Sequence, residues 1–318
     1  MSELEVYLGI DTSCYTTSVA FMDRQANLVG ESRQILKVHE GKCGLQQSEM
    51  VFQHTRNLPE MITNAMPRGA KIIGVCASGY PRPLLDSYMP AFLVGAGLAR
   101  SVSVLNNIPL WLISHQENHL LAGKWSAGGP DDERFLFLHA SGGTTDLLTA
   151  EKDGSGSYKL TEIGGSIDLH AGQFIDRIGV SLGLQFPAGP ALEKFAGAAA
   201  GPVELPVSVK GCKASLSGPA TAAERKLAAG EDPAGIALGV QKVLAETFYR
   251  LICNACREYN TKSVLIAGGV ASNTYIREYL HNKLTGRKIS LWHPQARFSC
   301  DNACGCAAFA VLKGEKSV

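Results

Sequence analysis

One pattern constrains the fold of this chain more than any other: a strand–turn–strand unit that is written twice. VYLGIDTS and TTSVAFMD flank a short polar turn near the N-terminus, and FLFLHAS and DLLTAEK flank GGTT in the middle of the chain. Apolar, β-rich runs on either side of a small-residue turn read as hairpins. NLVGESRQI adds a strand to the first unit and YKLTEIGGS to the second. After each unit, helical and strand patterns alternate. Helices are expected from about Ser48 to Ala65, from Phe92 to Ser103, through HQENHLLAGKW, within Leu169 to Ala200, and from Pro233 to Tyr259, with a last one beginning near Asp301. KIIGVCAS, PLWLISH and KSVLIAGG read as strands. The duplication is too long in period for a solenoid. It predicts an α/β protein of two related lobes, each presenting its hairpin turn to a shared cleft, with a hinge rather than a linker between them.

Charge and cysteine content narrow the functional classes. The 318 residues carry 30 basic and 29 acidic side chains, so nothing global marks a nucleic-acid binder. No apolar run reaches the roughly 18 residues of a membrane span, and MSELEV does not open a signal peptide. Nine cysteines without an even spacing fit free thiols in a reducing cytoplasm. Cys253 and Cys256 form a C-x-x-C inside a helical pattern with no second pair at zinc-ribbon spacing, so they read as helix cysteines.

The two turns have the chemistry of phosphate sites. Backbone N–H groups in glycine- and threonine-rich turns form concave donor arrays, and hydroxyl side chains add donors. IDTSCYTTS carries Asp11, and ASGGTTD carries Asp146. VLIAGGVASN is a third such element: a buried strand ends in Gly268 and Gly269, which let backbone approach a flat ligand closely. Asn273 follows, placed to cap the next helix or to touch a ribose or base.

SHQENHLLAG puts His115 and His119 four residues apart, on one face of a helix, where two imidazoles can share a metal. A third ligand has to come from elsewhere. Asp301, in SCDNACGCAAFA, is the candidate, with a helix N-cap as its alternative reading. His139 and His170 read as a strand histidine and a loop histidine. A zinc-protease motif is excluded, because H-E-x-x-H needs its glutamate directly after the first histidine. Glu117 stands two positions after His115 and faces away from a shared metal.

Seven segments in order, LGIDTSCYTTSVA, SHQENHLLAG, ASGGTTDLL, GGSIDLHAGQFIDRIGVSLGLQFPAGPALEKFA, SLSGPAT, VLIAGGVASN and SCDNACGCAAFA, resemble the TsaD family nearly end to end. These are the catalytic subunits of tRNA adenosine threonylcarbamoyltransferase. The resemblance implies a two-lobed actin-like ATPase fold (ASKHA, ribonuclease H-like) with duplicated lobes. It implies an N-terminal lobe over residues 1–120, completed by a helix in 295–318, and a second lobe over 121–294. His115, His119 and Asp301 match the family's iron- or zinc-binding residues. Ala140, Ser141, Gly142, Gly143 and Thr144 match its phosphate loop, Asp176 and Gly189 its ribose contacts, and Asn273 a further nucleotide contact. Asp11 matches the acid of the first turn and stands as the candidate catalytic residue.

The implied cofactors are one divalent metal, Fe2+ or Zn2+, and an adenine nucleotide, ATP or an acyl-AMP, with Mg2+. The implied partners are a TsaB-like paralogous subunit, a TsaE-like small ATPase and tRNA, with no membrane. The chain departs from the family pattern at Tyr15, Thr144, Asp146 and Gln173, and lacks the lysine that often follows Gly218. Three readings follow. The first is threonylcarbamoyl transfer to N6 of the adenosine beside the tRNA anticodon. The second is a divergent paralogue that carbamoylates a small molecule or a protein. The third is a nucleotide-bound scaffold without turnover.

Overall fold

A computed structural model describes residues 3–38, 44–84, 86–154 and 157–315. The chain divides into two compact units. The first comprises Met1–Gly128, Asp153–Tyr158 and Asp301–Val318, and the second Gly129–Lys152 and Lys159–Cys300.

In the first unit the expected hairpin forms as β1 (Leu4–Asp11) and β2 (Thr16–Met22), extended by β3 (Leu28–Ile35). α1 (Gln47–Ala65), β4 (Ala70–Tyr80), α2 (Phe92–Asn106), β5 (Leu110–Ser114) and α3 (His115–Ala127) follow. The five-stranded sheet runs β3-β2-β1-β4-β5, with β1 antiparallel to β2 and parallel to β4. Its apolar strands and α1 enclose a core that includes Leu8, Ile10, Phe21, Leu58 and Val75. The C-terminal helix, Cys304–Glu315, lies against β1. Gly9 makes that approach possible, since a Cβ there would stand 2.4 Å from the Ala303 carbonyl oxygen and 2.5 Å from the Ala307 nitrogen. This helix starts three residues later than expected. Asn302, not Asp301, serves its first turn, its Oδ1 accepting from Cys304 N at 2.9 Å.

The second unit repeats the opening with β6 (Arg134–Ala140), β7 (Thr145–Lys152) and β8 (Tyr158–Ser166). It continues through α4 (Ala171–Ser181), α5 (Gly189–Ala196), β9 (Ser208–Lys210), β10 (Lys213–Ser215), α6 (Ser217–Ala228) and α7 (Pro233–Glu258). β11 (Ser263–Ala267), α8 (Thr274–Thr285), β12 (Ser290–Trp292) and the short α9 (Ala296–Ser299) complete it. The sheet order is β12-β11-β6-β7-β8-β10-β9. Read from β8, the order β8-β7-β6-β11-β12 repeats that of the first sheet, which is the duplication seen in the sequence. α7 is long because its apolar residues recur at helical spacing. Asp232 caps it, accepting from Ala234 N and Gly235 N, and Pro233 fits the first turn. Val240, Leu244, Phe248 and Leu251 of α7 are fully buried, and burying such a side chain contributes about 1.5–3 kcal/mol. Cys253 and Cys256 lie on this helix as free thiols. Among the described residues, no helix is long and apolar enough to cross a membrane.

Gly268, just after β11, has φ +109°, and a Cβ there would stand 2.1 Å from the Ala140 carbonyl oxygen. Gly268→Ala is therefore expected to destabilise the protein by on the order of 2 kcal/mol or more, from backbone strain plus overpacking. A urea-unfolding midpoint equal to wild type would contradict this packing.

Candidate functional site

The chain turns from strand β5 into α3 through a capping box. Ser114 Oγ accepts from Glu117 N at 3.1 Å, and Glu117 Oε2 accepts from Ser114 N at 2.7 Å. The cap fixes the start of α3 and engages Glu117, so this acid does not face the histidine pair. His115 and His119 then fall on one helical face. Their Nε2 atoms are 3.1 Å apart, and their rings meet edge to face with centroids at 4.4 Å. Asp301 Oδ1 lies 3.1 Å from His119 Nε2 and 3.6 Å from His115 Nε2. One potential ligand atom from each of the three residues falls within 4.8 Å of the others.

Asp301 arrives from the far end of the chain because Asn118 holds its segment. Asn118 Nδ2 donates to the Asn302 carbonyl at 2.7 Å, and Asn118 Oδ1 accepts from Cys306 N at 2.8 Å. Gly305 permits the contact, since a Cβ there would stand 2.0 Å from the Asn118 carbonyl oxygen. Neither Asn118 nor Gly305 stood out in the sequence, where only their places inside the His115–His119 and Asp301 segments drew attention to them.

Asp11, at the end of β1, has no solvent exposure. Its Oδ2 lies 3.4 Å from His115 Nδ1 and accepts from Ser13 Oγ at 2.8 Å, while Ser78 Oγ donates to Oδ1. Ser78, on β4, carries no motif in the sequence. Burial disfavours the charged form of His115, but the Asp11 charge and hydrogen bonds to Asp11 and Asp301 outweigh it and raise its pKa to about 10. His119 moves down, because burial and the neighbouring His115 both oppose a second imidazolium. Burial alone would raise Asp301, yet hydrogen bonds and charge from the two histidines hold it far below the usual carboxylate range. Without a cation, the site therefore keeps His115 as the imidazolium and His119 as the neutral imidazole beside the Asp301 carboxylate. Two imidazole nitrogens and a carboxylate oxygen, enclosed and with surplus negative charge beside them, suit a divalent transition ion.

The second unit's turn closes with Ser141 N donating to the Thr144 carbonyl at 2.8 Å. Gly142 and Gly143 are exposed, with open space where a Cβ would point, so their backbone faces solvent. Ala140 is buried at the end of β6, and Thr144 is half-buried. Thr145 Oγ1 accepts from Ala171 N at 2.7 Å, and Gly172 N donates to the Ser141 carbonyl at 3.2 Å, so the turn is braced by the start of α4. Gly268 N donates to the Ser299 carbonyl at 2.9 Å, and Gly269 is exposed. Asn273 caps α8, its Oδ1 accepting from Ile276 N at 3.0 Å and its Nδ2 donating to Gln241 Oε1 at 3.0 Å. Asp176 Oδ1 accepts from Ala188 N at 2.7 Å, tying α4 to the start of α5 at half-buried Gly189. Burial raises the Asp176 pKa against that hydrogen bond.

The departing positions have local partners. Tyr15 packs on Leu36, Met50 and Ala91. Asp146 is buried opposite His139 in the β6–β7 register, and His139 stacks on Phe137. Gln173 Oε1 accepts from His170 N at 3.1 Å, which makes His170 the N-cap of α4. Asp168, which the sequence did not single out, accepts from Ser215 Oγ, Ser217 Oγ, Leu216 N and Leu169 N. Burial would raise its pKa, but these four bonds hold it well below the usual carboxylate range.

The profile of the family described as TsaD, tRNA N6-adenosine threonylcarbamoyltransferase, matches residues 88–308. The tRNA N6-adenosine threonylcarbamoyltransferase of Nitrosomonas eutropha is 28% identical over 316 residues, covering 96% of this chain and 91% of that protein. Among solved structures, component A of the Acidaminococcus fermentans (R)-2-hydroxyglutaryl-CoA dehydratase aligns with TM-score 0.57 at 18% identity, over 98% of this chain and 99% of that one. HypF of T. kodakarensis aligns with TM-score 0.61 at 14% identity, over 99% of this chain and 48% of that one. The structural likenesses establish an actin-like α/β fold.

The titration of the histidine pair has a measurable sign. His115 keeps its proton in the folded state up to about pH 10, so its stabilisation is full below pH 6.5 and is lost as pH rises from there to about 10. His119 resists protonation, so stability also falls as pH drops below 6.5, where the unfolded chain takes up that proton. The chelated protein is expected to melt highest near pH 6.5, with His115→Gln flattening the alkaline limb. A melting temperature of the chelated wild type that climbs steadily from pH 6.5 to 9 would contradict the assignment.

Proposed function

The chain belongs to the TsaD family of tRNA N6-adenosine threonylcarbamoyltransferases, and it is a transferase; from that premise we propose that it moves the threonylcarbamoyl group of threonylcarbamoyl-AMP to N6 of the adenosine beside the tRNA anticodon. The observation that carries the reading is the convergence of His115, His119 and Asp301 from two separate segments of one unit. In this reading they hold one divalent ion, Fe2+ or Zn2+, through His115 Nε2, His119 Nε2 and Asp301 Oδ1. A bound ion there supplies Lewis acidity toward a carbonyl or phosphate oxygen.

The protein's own residues divide the remaining work. The N–H groups of the turn from Ala140 through Thr144 receive the phosphate of the adenylate and stabilise charge on the departing AMP. Asp176, beside Gly189, accepts from ribose hydroxyls, and Gly268, Gly269 and Asn273 border the adenosine. Mg2+ accompanies the nucleotide where ATP is bound. Asp11 orients His115 through Nδ1 and takes the proton released when the adenosine amine attacks the carbamoyl carbon. Because Asp11 is enclosed, the proton reaches it by relay through the hydroxyl of Ser13 or Ser78.

With 30 basic and 29 acidic side chains, the chain has little surplus positive charge with which to neutralise several tRNA phosphates. Action on tRNA therefore calls for partners, a TsaB-like paralogous subunit and a TsaE-like small ATPase in a cytoplasmic assembly. The changes at Tyr15, Thr144, Asp146 and Gln173 keep a second acceptor, a small molecule or a protein, as the rival reading.

Two measurements check this reading. In a strain depleted of its own enzyme and supplied with the partner subunits, the chain is expected to restore threonylcarbamoyladenosine in bulk tRNA, and His119→Ala is expected not to. Soluble, metal-loaded wild type that leaves the nucleoside absent would move the acceptor away from tRNA. Binding the ion displaces the His115 proton, so metal affinity is expected to rise roughly tenfold per pH unit from pH 6 to 8. Calorimetry that finds a pH-independent affinity, or one ion per chain in His119→Ala, would refute the site.

A further inference from the structure

α8 and β12 border a surface cavity of about 570 Å³ lined by Thr274, Arg277, Glu278, His281, Asn282 and His293. Arg277 governs its character. The side chain is half-buried, and among the described residues no carboxylate forms an ion pair with it. Burial alone shifts its pKa, downward, as expected of a cation removed from water without a counter-charge. The guanidinium is nonetheless held in place: Nη2 donates to the Pro294 carbonyl at 3.0 Å and to His293 Nδ1.

That second bond settles a tautomer. A guanidinium only donates, so Nδ1 of His293 accepts, and the neutral ring carries its hydrogen on Nε2. Burial and the Arg277 charge both disfavour the imidazolium, which keeps the ring in this form near neutral pH. The cavity wall thus offers the remaining N–H groups of Arg277, the Thr274 hydroxyl, the Asn282 amide and the His281 ring. Glu278 is the one acid in this lining.

We propose that this cavity is an anion subsite that receives one phosphate group, with Arg277 as its fixed cation. Phosphate is the chemical match, because it accepts in several directions and pairs with the planar guanidinium fork. The group can arrive as free inorganic phosphate or as a phosphodiester of an RNA backbone, and both present the same oxygens. The subsite does not depend on the acceptor of the transfer reaction.

The test uses the full-length protein with two probes, inorganic phosphate and a short RNA oligonucleotide without terminal phosphates. Calorimetry over a salt series gives affinity and slope for wild type, Arg277→Gln, His281→Gln and Glu278→Gln. At least one probe is expected to bind, and Arg277→Gln to weaken that binding roughly tenfold. If the oligonucleotide is the probe, the same substitution is expected to lower its salt slope by about one. Glu278→Gln is expected to tighten binding by removing the opposing charge. His281→Gln, an exposed change that leaves the Arg277 bonds intact, is expected to weaken binding and serves if Arg277→Gln fails to fold. Binding of phosphate alone assigns the free anion, and binding of the oligonucleotide assigns the RNA backbone. Binding of neither probe overturns the proposal, as does affinity for both that is unchanged in Arg277→Gln and His281→Gln.

Discussion

The first unit depends on one close contact, the approach of the C-terminal helix to α3 and β1. Two glycines allow it, Gly9 on the strand and Gly305 on the helix, because a Cβ at either would overlap backbone atoms. Asn118 then locks it with two hydrogen bonds to the backbone around the C-terminal helix. The consequence is chemical. Asp301 comes within 3.1 Å of His119, from 182 residues away along the chain. An aspartate bonded to its own helix's backbone would have been pinned elsewhere, and Asn302 takes that duty instead.

Electrostatics makes the same assembly costly to leave alone. Asp11 and Asp301 flank two enclosed imidazoles, and the group resolves its charge by protonating one histidine and keeping the other neutral. A site in that state competes protons against cations, so its occupancy and its stability are coupled through pH. The hydroxyls of Ser13 and Ser78 around Asp11 belong to the same design: they satisfy the buried carboxylate without adding positive charge.

Much of the architecture was legible because hairpins and long amphipathic helices write strong local periodicities. The repeated apolar–turn–apolar unit anticipated two sheets whose strand orders correspond, and α7 ends one residue short of its expected boundary. The i,i+4 spacing of His115 and His119 placed them on one helical face, as found. What was not legible was long-range or local in its hydrogen bonding. Nothing in the sequence announces that Asn118 bonds to residues near the other terminus. Glu117, Gln173 and Asn273 are titratable or polar groups in promising motifs, yet each is engaged in capping a helix. Asp168 organises SLSG through hydrogen bonds from the Ser215 and Ser217 hydroxyls and Leu216 N that no spacing rule predicts.

The most direct test of the central claim is X-ray absorption at the metal edge of the loaded protein, on wild type and Asn118→Ala. Wild type is expected to show two imidazole nitrogens and a carboxylate oxygen around the ion at about 2.0–2.2 Å. Removing the Asn118 clamp is expected to abolish the carboxylate contribution or the ion itself. A sulfur ligand in the wild-type shell, or an unchanged three-ligand spectrum in Asn118→Ala, would contradict that claim.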